Sequence, residues 1–157
     1  MTPNHTPPST PVPTPVQATQ TVTAARPGLL LFAHGARDPN WARPFDAVLR
    51  TVRQRAPGVA VELSFLEFMQ PTLVDAGHAL AAAGCTEVGV VPLFLGTGGH
   101  VRKDLPLLID TLRQAHPQVR WTVRASVGED AGVVDAMAAA ALLATHAQPL
   151  GSQPGPV

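Results

Sequence analysis

Two short stretches of this chain set a histidine beside glycine and basic residues. They are Ala33-His34-Gly35-Ala36-Arg37-Asp38 and Gly96-Thr97-Gly98-Gly99-His100-Val101-Arg102-Lys103-Asp104. A third polar position, Glu67, follows an apolar segment between them. Two imidazoles and a carboxylate facing one cleft form the borderline nitrogen and oxygen set suited to Fe²⁺, Co²⁺, Ni²⁺ or Zn²⁺. The same groups can take up protons near neutral pH. Each also has a plainer reading. His34 and His100 would serve equally as hydrogen-bonding loop residues, Glu67 as a solvated strand end and Arg37 as a surface charge. Gly96, Gly98 and Gly99 either permit a tight turn with positive φ or let backbone N–H groups cradle an anion beside Arg102 and Lys103. The other histidines, His5, His78, His116 and His146, are read as ordinary polar residues in a tail or near helix ends.

The elements that must position these residues follow from the apolar periodicity. Gly28–Ala33 is a continuous apolar run, the pattern of a strand covered on both faces. Asp38-Pro39 supplies an N-cap with proline at the first helical position. Phe45, Val48, Leu49 and Val52 then make a helical stripe that ends near Pro57-Gly58. Val59–Leu66 reads as a second strand. Pro71 opens a helix carrying Leu73, Ala76 and Leu80, with Gly84 as its stop. Glu87–Phe94 reads as a third, central strand. Leu105, Leu108, Ile109 and Leu112 make the next helix, Val119–Val123 a less buried strand, and Asp130–Ala144 a final Ala-rich helix. Phe32, Phe65, Phe68 and Phe94 are assigned to the core.

The order βαβαβαβα implies an α/β fold, a doubly wound four-stranded parallel sheet with helices on both faces. The flavodoxin-like strand order 2-1-3-4 makes the gap between strands 1 and 3 the switch point where ligands of such sheets bind. Parallel neighbours lie about 4.8 Å apart, so the two histidine loops converge there, and Glu67 ends strand 2 at the same edge.

Composition narrows the remaining classes. Eleven Lys+Arg balance eleven Asp+Glu, so nothing marks a nucleic-acid binder. No apolar run is long enough to span a membrane. The single cysteine, Cys85, excludes a disulfide framework and fits a reducing, cytoplasmic setting. All charged residues lie between Arg26 and Asp135, and six of the 17 prolines fall within the first 16 residues. Residues 1–27 therefore read as a disordered Thr/Pro-rich tail, 28–146 as one domain, and 147–157 as a flexible C-terminal tail.

Two phosphate-handling motifs fail. A P-loop needs Gly-Lys-Ser/Thr, which Gly98-Gly99-His100-Val101 lacks. A histidine phosphatase needs arginine before its histidine, where Ala33 stands.

Taken with Pro39, the Phe65-Leu66-Glu67 segment, Pro71, Val91-Pro92-Leu93-Phe94-Leu95 and the run Gly98 to Pro106, the chain resembles the small class II chelatases, the sirohydrochlorin chelatases of tetrapyrrole pathways. The resemblance covers Leu29–Leu143, and the Gly-Gly-His block followed by Asp-x-Pro is its most specific part. It implies a single chelatase lobe and a metal-inserting lyase that places Co²⁺ or Fe²⁺, or Ni²⁺, into sirohydrochlorin in cobalamin or sirohaem biosynthesis. ATP and organic cofactors are not required. The implied catalytic and metal-holding residues are His34, His100 and Glu67. Arg37, Gly98, Gly99, Arg102 and Lys103 are implied to anchor the substrate's carboxylates. A homodimer that completes the cleft is also expected, with no nucleic-acid or membrane partner. The rival expectation is a non-catalytic metal or tetrapyrrole carrier on the same fold.

Overall fold

The structure is a computed structural model that describes residues 25–96 and 98–143, and of His100 the backbone alone. The expected tails, apart from residues 25–27, and His5 and His146 lie outside the described residues. Four strands, β1 (Pro27–Ala33), β2 (Ala60–Phe65), β3 (Glu87–Pro92) and β4 (Arg120–Val123), form one parallel sheet in the order β2-β1-β3-β4. The 2-1-3-4 expectation is met, with β1 beside both β2 and β3.

The continuous apolar run of β1 is explained by burial on both sides. Alternate residues of a strand point to opposite faces. Leu30 and Phe32 enter one core, with Val88, Val90 and Trp121 from β3 and β4. Leu31 and Ala33 enter the other, with Val61, Leu63 and Phe65 from β2. Helices α2 (Leu73–Ala82) and α3 (Gly99–Ala115) cover the first face through Leu73, Leu80, Ile109 and Leu112. Helix α1 (Arg43–Arg55) covers the second through Phe45, Leu49 and Val52. Each fully buried side chain of this size contributes about 1.5–3 kcal/mol. Trimming Leu112, which is 0% exposed, to alanine would cost about 2–5 kcal/mol.

The helix ends are set locally. Asp38 caps a single 3₁₀ turn, Pro39–Ala42, by accepting from the Asn40 N–H. Thr72 and Asp75 form a reciprocal capping box at the start of α2. Gly84, at φ 81°, follows the end of α2 as expected.

Two expectations need correction. Helix α3 begins at Gly99, so His100, Arg102 and Lys103 stand in its first turns and not in a loop. The glycines place residues 96–104 in a loop, yet the helix starts among them and carries Pro106 inside it at the cost of one backbone hydrogen bond. Helix α4 (Ala131–Leu143) exists, but it buries none of its residues and packs chiefly on the short turn Val127–Glu129 before it. Among the described residues, no helix covers the α1-side face of β3 and β4.

Candidate active site

Strand β1 ends at Ala33 and delivers His34 to the carboxyl edge of the sheet. The loop after β2 is stitched to it by two backbone bonds, Leu66 N–H to Ala33 O at 2.9 Å and Glu67 N–H to His34 O at 3.1 Å. This approach requires glycine at position 35. Gly35 has φ 88°, and a Cβ there would stand 2.0 Å from the Glu67 backbone oxygen. The two loops thus close side by side, and His34 Nε2 comes within 3.1 Å of Glu67 Oε1. Both side chains remain about half exposed. The edge of the Phe94 ring, 6.2 Å away between centroids, flanks the His34 imidazole.

A separation of 3.1 Å is that of a hydrogen bond. It is also that of two ligands on one ion, since donors roughly 2.1 Å from a metal and about 90° apart lie about 3 Å from each other. The pair can therefore hold a proton or a borderline divalent cation between its two atoms. Among the described residues no group of three His, Cys, Asp or Glu side chains forms a fuller metal cage. The expected third member, His100, has its backbone in the first turn of α3 at the same sheet edge, and its side chain lies outside the described residues.

Beside His34 opens a largely apolar cavity of about 480 Å³, walled by Trp41, Phe45, Val48, Phe94 and Leu95. Trp41 and Leu95 are 49% and 62% exposed, so the cavity opens onto an apolar surface. Sequence reasoning passed over both residues. A tryptophan two residues after Asp38-Pro39, outside the apolar stripe of the following helix, was the available signal.

The expected anchors divide between locations. Arg37 stands on the His34 loop with its guanidinium 5.2 Å over the Phe68 ring. Phe68 is not core as expected: it is 59% exposed and takes φ 61° in the tight turn after β2. Arg102 lines a different cavity of about 460 Å³, with Arg113, Arg124 and Glu129. Lys103 is exposed on α3. Gly98 has φ −67°, so a positive-φ turn does not explain it. Open space surrounds the positions where Cβ atoms of Gly98 and Gly99 would lie, room for another molecule to approach the N-terminus of α3.

The histidine–carboxylate pair and the apolar cavity lie at the sheet edge where doubly wound α/β folds bind small molecules. Comparison narrows the class: the CbiX family profile matches residues 28–142, and the chain belongs to that family. It is 39% identical over 83 residues to the sirohydrochlorin cobaltochelatase of Saccharolobus solfataricus, covering 52% of this chain and 62% of that protein. It is 31% identical over 109 residues to the sirohydrochlorin ferrochelatase of Bacillus subtilis, covering 69% of this chain and 42% of that one. The matched stretches thus span less than two thirds of those relatives' own lengths. Among solved structures, the sirohydrochlorin chelatase SirB from Bacillus subtilis subspecies spizizenii, in complex with cobalt, superposes with a TM-score of 0.66 at 29% identity, covering 73% of this chain and 49% of that one.

Proposed function

We propose that this domain inserts a divalent metal, Co²⁺ or Fe²⁺ with Ni²⁺ as a further candidate, into sirohydrochlorin without ATP or an organic cofactor. The observation that carries this reading is the His34–Glu67 pair, 3.1 Å apart beside the apolar cavity. The names of the relatives supply the substrate class.

Metallation requires that an ion lose water, meet one face of the macrocycle and displace two pyrrole protons. His34 and Glu67, joined by His100, receive the ion with moderate affinity and accept those protons. An all-oxygen site would favour Mg²⁺ or Ca²⁺, and thiolates would hold the ion too tightly. The ring face rests on Trp41 and Leu95. Arg37, Arg102, Lys103 and the N–H groups at Gly98 and Gly99 meet the carboxylates of its rim. We take residues 28–146 as the working unit, of which the family profile covers 28–142, and we place it in the cytoplasm. No helix among the described residues is long and apolar enough to cross a membrane.

The same reading includes a homodimer. Its support is α4, whose one charged residue is Asp135 and whose Val134 and Met137 are 51% and 49% exposed. The sheet face it leaves open carries the exposed Thr122 of β4 beside Gly89 and Val91 of β3. A second copy would cover both surfaces. Sedimentation of the wild-type chain and of Met137→Asp tests this, with a dimer expected for the first and a monomer for the second.

The activity is tested by the absorption spectrum of sirohydrochlorin mixed with Co²⁺ or Fe²⁺, with and without protein. A chelatase converts many equivalents per protein, whereas a carrier perturbs the spectrum stoichiometrically and turns nothing over.

A further inference from the structure

Two histidines that looked unremarkable in the sequence meet on the far side of the molecule from His34. Helices α2 and α3 lie side by side on one face of the sheet, and their closest approach is at Gly77. A Cβ on that residue would stand 2.5 Å from the Leu112 methyl groups. His78 follows Gly77, and His116 lies one helical turn beyond Leu112, on the same side of the helix. The contact that seats Leu112 against Gly77 therefore brings Nδ1 of His78 to 2.6 Å from Nε2 of His116. The ring centroids are 4.9 Å apart with the planes at 69°. Trp121 lies beyond, 6.5 Å from the His116 ring. His116 ends α3 at the amino edge of the sheet, roughly 20 Å along the strands from the His34 edge.

We propose that His78 and His116 form a second metal site, a two-imidazole clip for one borderline divalent ion of the Zn²⁺, Cu²⁺, Ni²⁺ or Co²⁺ class. Two neighbouring imidazole nitrogens are the donors these ions prefer, and hard cations such as Mg²⁺ do not select them. The 2.6 Å nitrogen and 4.9 Å centroid separations set the two nitrogens head to head, and nitrogens at roughly 2.0–2.1 Å from one ion are about 3.0–3.4 Å apart, so the rings turn and part by less than about 1 Å to admit it. His116 can give way because it is the cap of α3, outside regular helix geometry at φ −133° and ψ 68°. Water completes the coordination, as the remaining positions face solvent. The ion ties the end of α3 to α2 and plays no part in metallation, so the site stands or falls independently of the proposed function.

The two tryptophans separate the sites optically, because Trp41 borders the His34 cavity and Trp121 the histidine pair. Untagged full-length protein carrying Trp41→Phe and His34→Ala reports only the second site. Titration with Cu²⁺ is expected to quench Trp121 emission saturably at one equivalent. Zn²⁺ is expected to raise the melting temperature by several degrees, as a ligand of the folded state must, and Mg²⁺ to leave it unmoved. Adding His78→Gln or His116→Gln should weaken the Cu²⁺ response at least tenfold. His78→Gln in the otherwise wild-type chain should leave sirohydrochlorin metallation unchanged. Quenching and Zn²⁺ stabilisation that persist undiminished in both glutamine variants would overturn the proposal, as would an equal response to Mg²⁺.

Discussion

The backbone oxygen of Glu67 occupies the place, 2.0 Å away, where a side chain on residue 35 would have to begin. Gly35 is thus the contact that sets His34 against Glu67. Its replacement by alanine adds a left-handed backbone penalty of about 1–2 kcal/mol to that steric conflict. Gly35→Ala should lower the melting temperature by several degrees and reduce metallation more than it reduces stability. Thermal unfolding and turnover measured on one preparation check this; unchanged values for both would show that the loops do not need the close approach.

In the proposed reaction the Glu67 carboxylate orients or shares the work of His34, and such partners are typically worth about 10–100-fold in activity or metal affinity. Glu67→Ala should lose turnover in that range with little change in stability, because a half-exposed pair contributes at most about 1 kcal/mol to folding. Glu67→Gln keeps an acceptor at the same place and should fall between. Wild-type turnover in Glu67→Ala would remove the residue from the chemistry.

Trp41 contacts the macrocycle before and during metallation in this account, so its loss weakens binding uniformly. Trp41→Ala should raise KM roughly 3–10-fold, the equivalent of about 0.5–1.5 kcal/mol for an aromatic contact. kcat should scarcely move. An equal fall in kcat and kcat/KM would assign the ring a contact made only in the transition state.

Cys85, 2% exposed, has its thiol pushed above the ordinary range by burial, with the Arg26 guanidinium opposing in part. The folded state therefore holds this proton at a pH where the unfolded chain has begun to release it. The stabilisation is complete below the ordinary thiol pKa of about 8.5 and is lost as pH rises through the folded value. Urea unfolding at about pH 7.5 and pH 9.5 should show a steeper alkaline loss for wild type than for Cys85→Ala. Identical losses would contradict a buried neutral thiol.

Most of the fold was legible because its signals are local or periodic. The two-sided apolar run of β1, the stripes of α1 and α3 and the Asp38-Pro39 cap each act over a few residues. The strand order followed from connection rules. His34 and Glu67 could be brought to one sheet edge by that order alone, but their 3.1 Å contact depends on Gly35, whose need for positive φ no periodicity announces. Phe68 was assigned inward because aromatic residues usually are, and the turn geometry turned it outward. The meeting of His78 and His116 was hidden because it arises from the packing of two helices, fixed by Gly77 against Leu112. Helix α4 has an apolar sequence that promises burial, and the partner surface for it is not within the described part of its own lobe.

The most direct test is the initial rate of Co²⁺ insertion into sirohydrochlorin by wild type, His34→Ala, His100→Ala and the double variant, each shown to be folded. The account predicts that either single substitution nearly abolishes catalysed insertion. The double variant should be scarcely worse, because residues acting as one unit are not additive, and His78→Ala should match wild type. A folded His34→Ala protein that still inserts Co²⁺ at near wild-type rates would contradict the account.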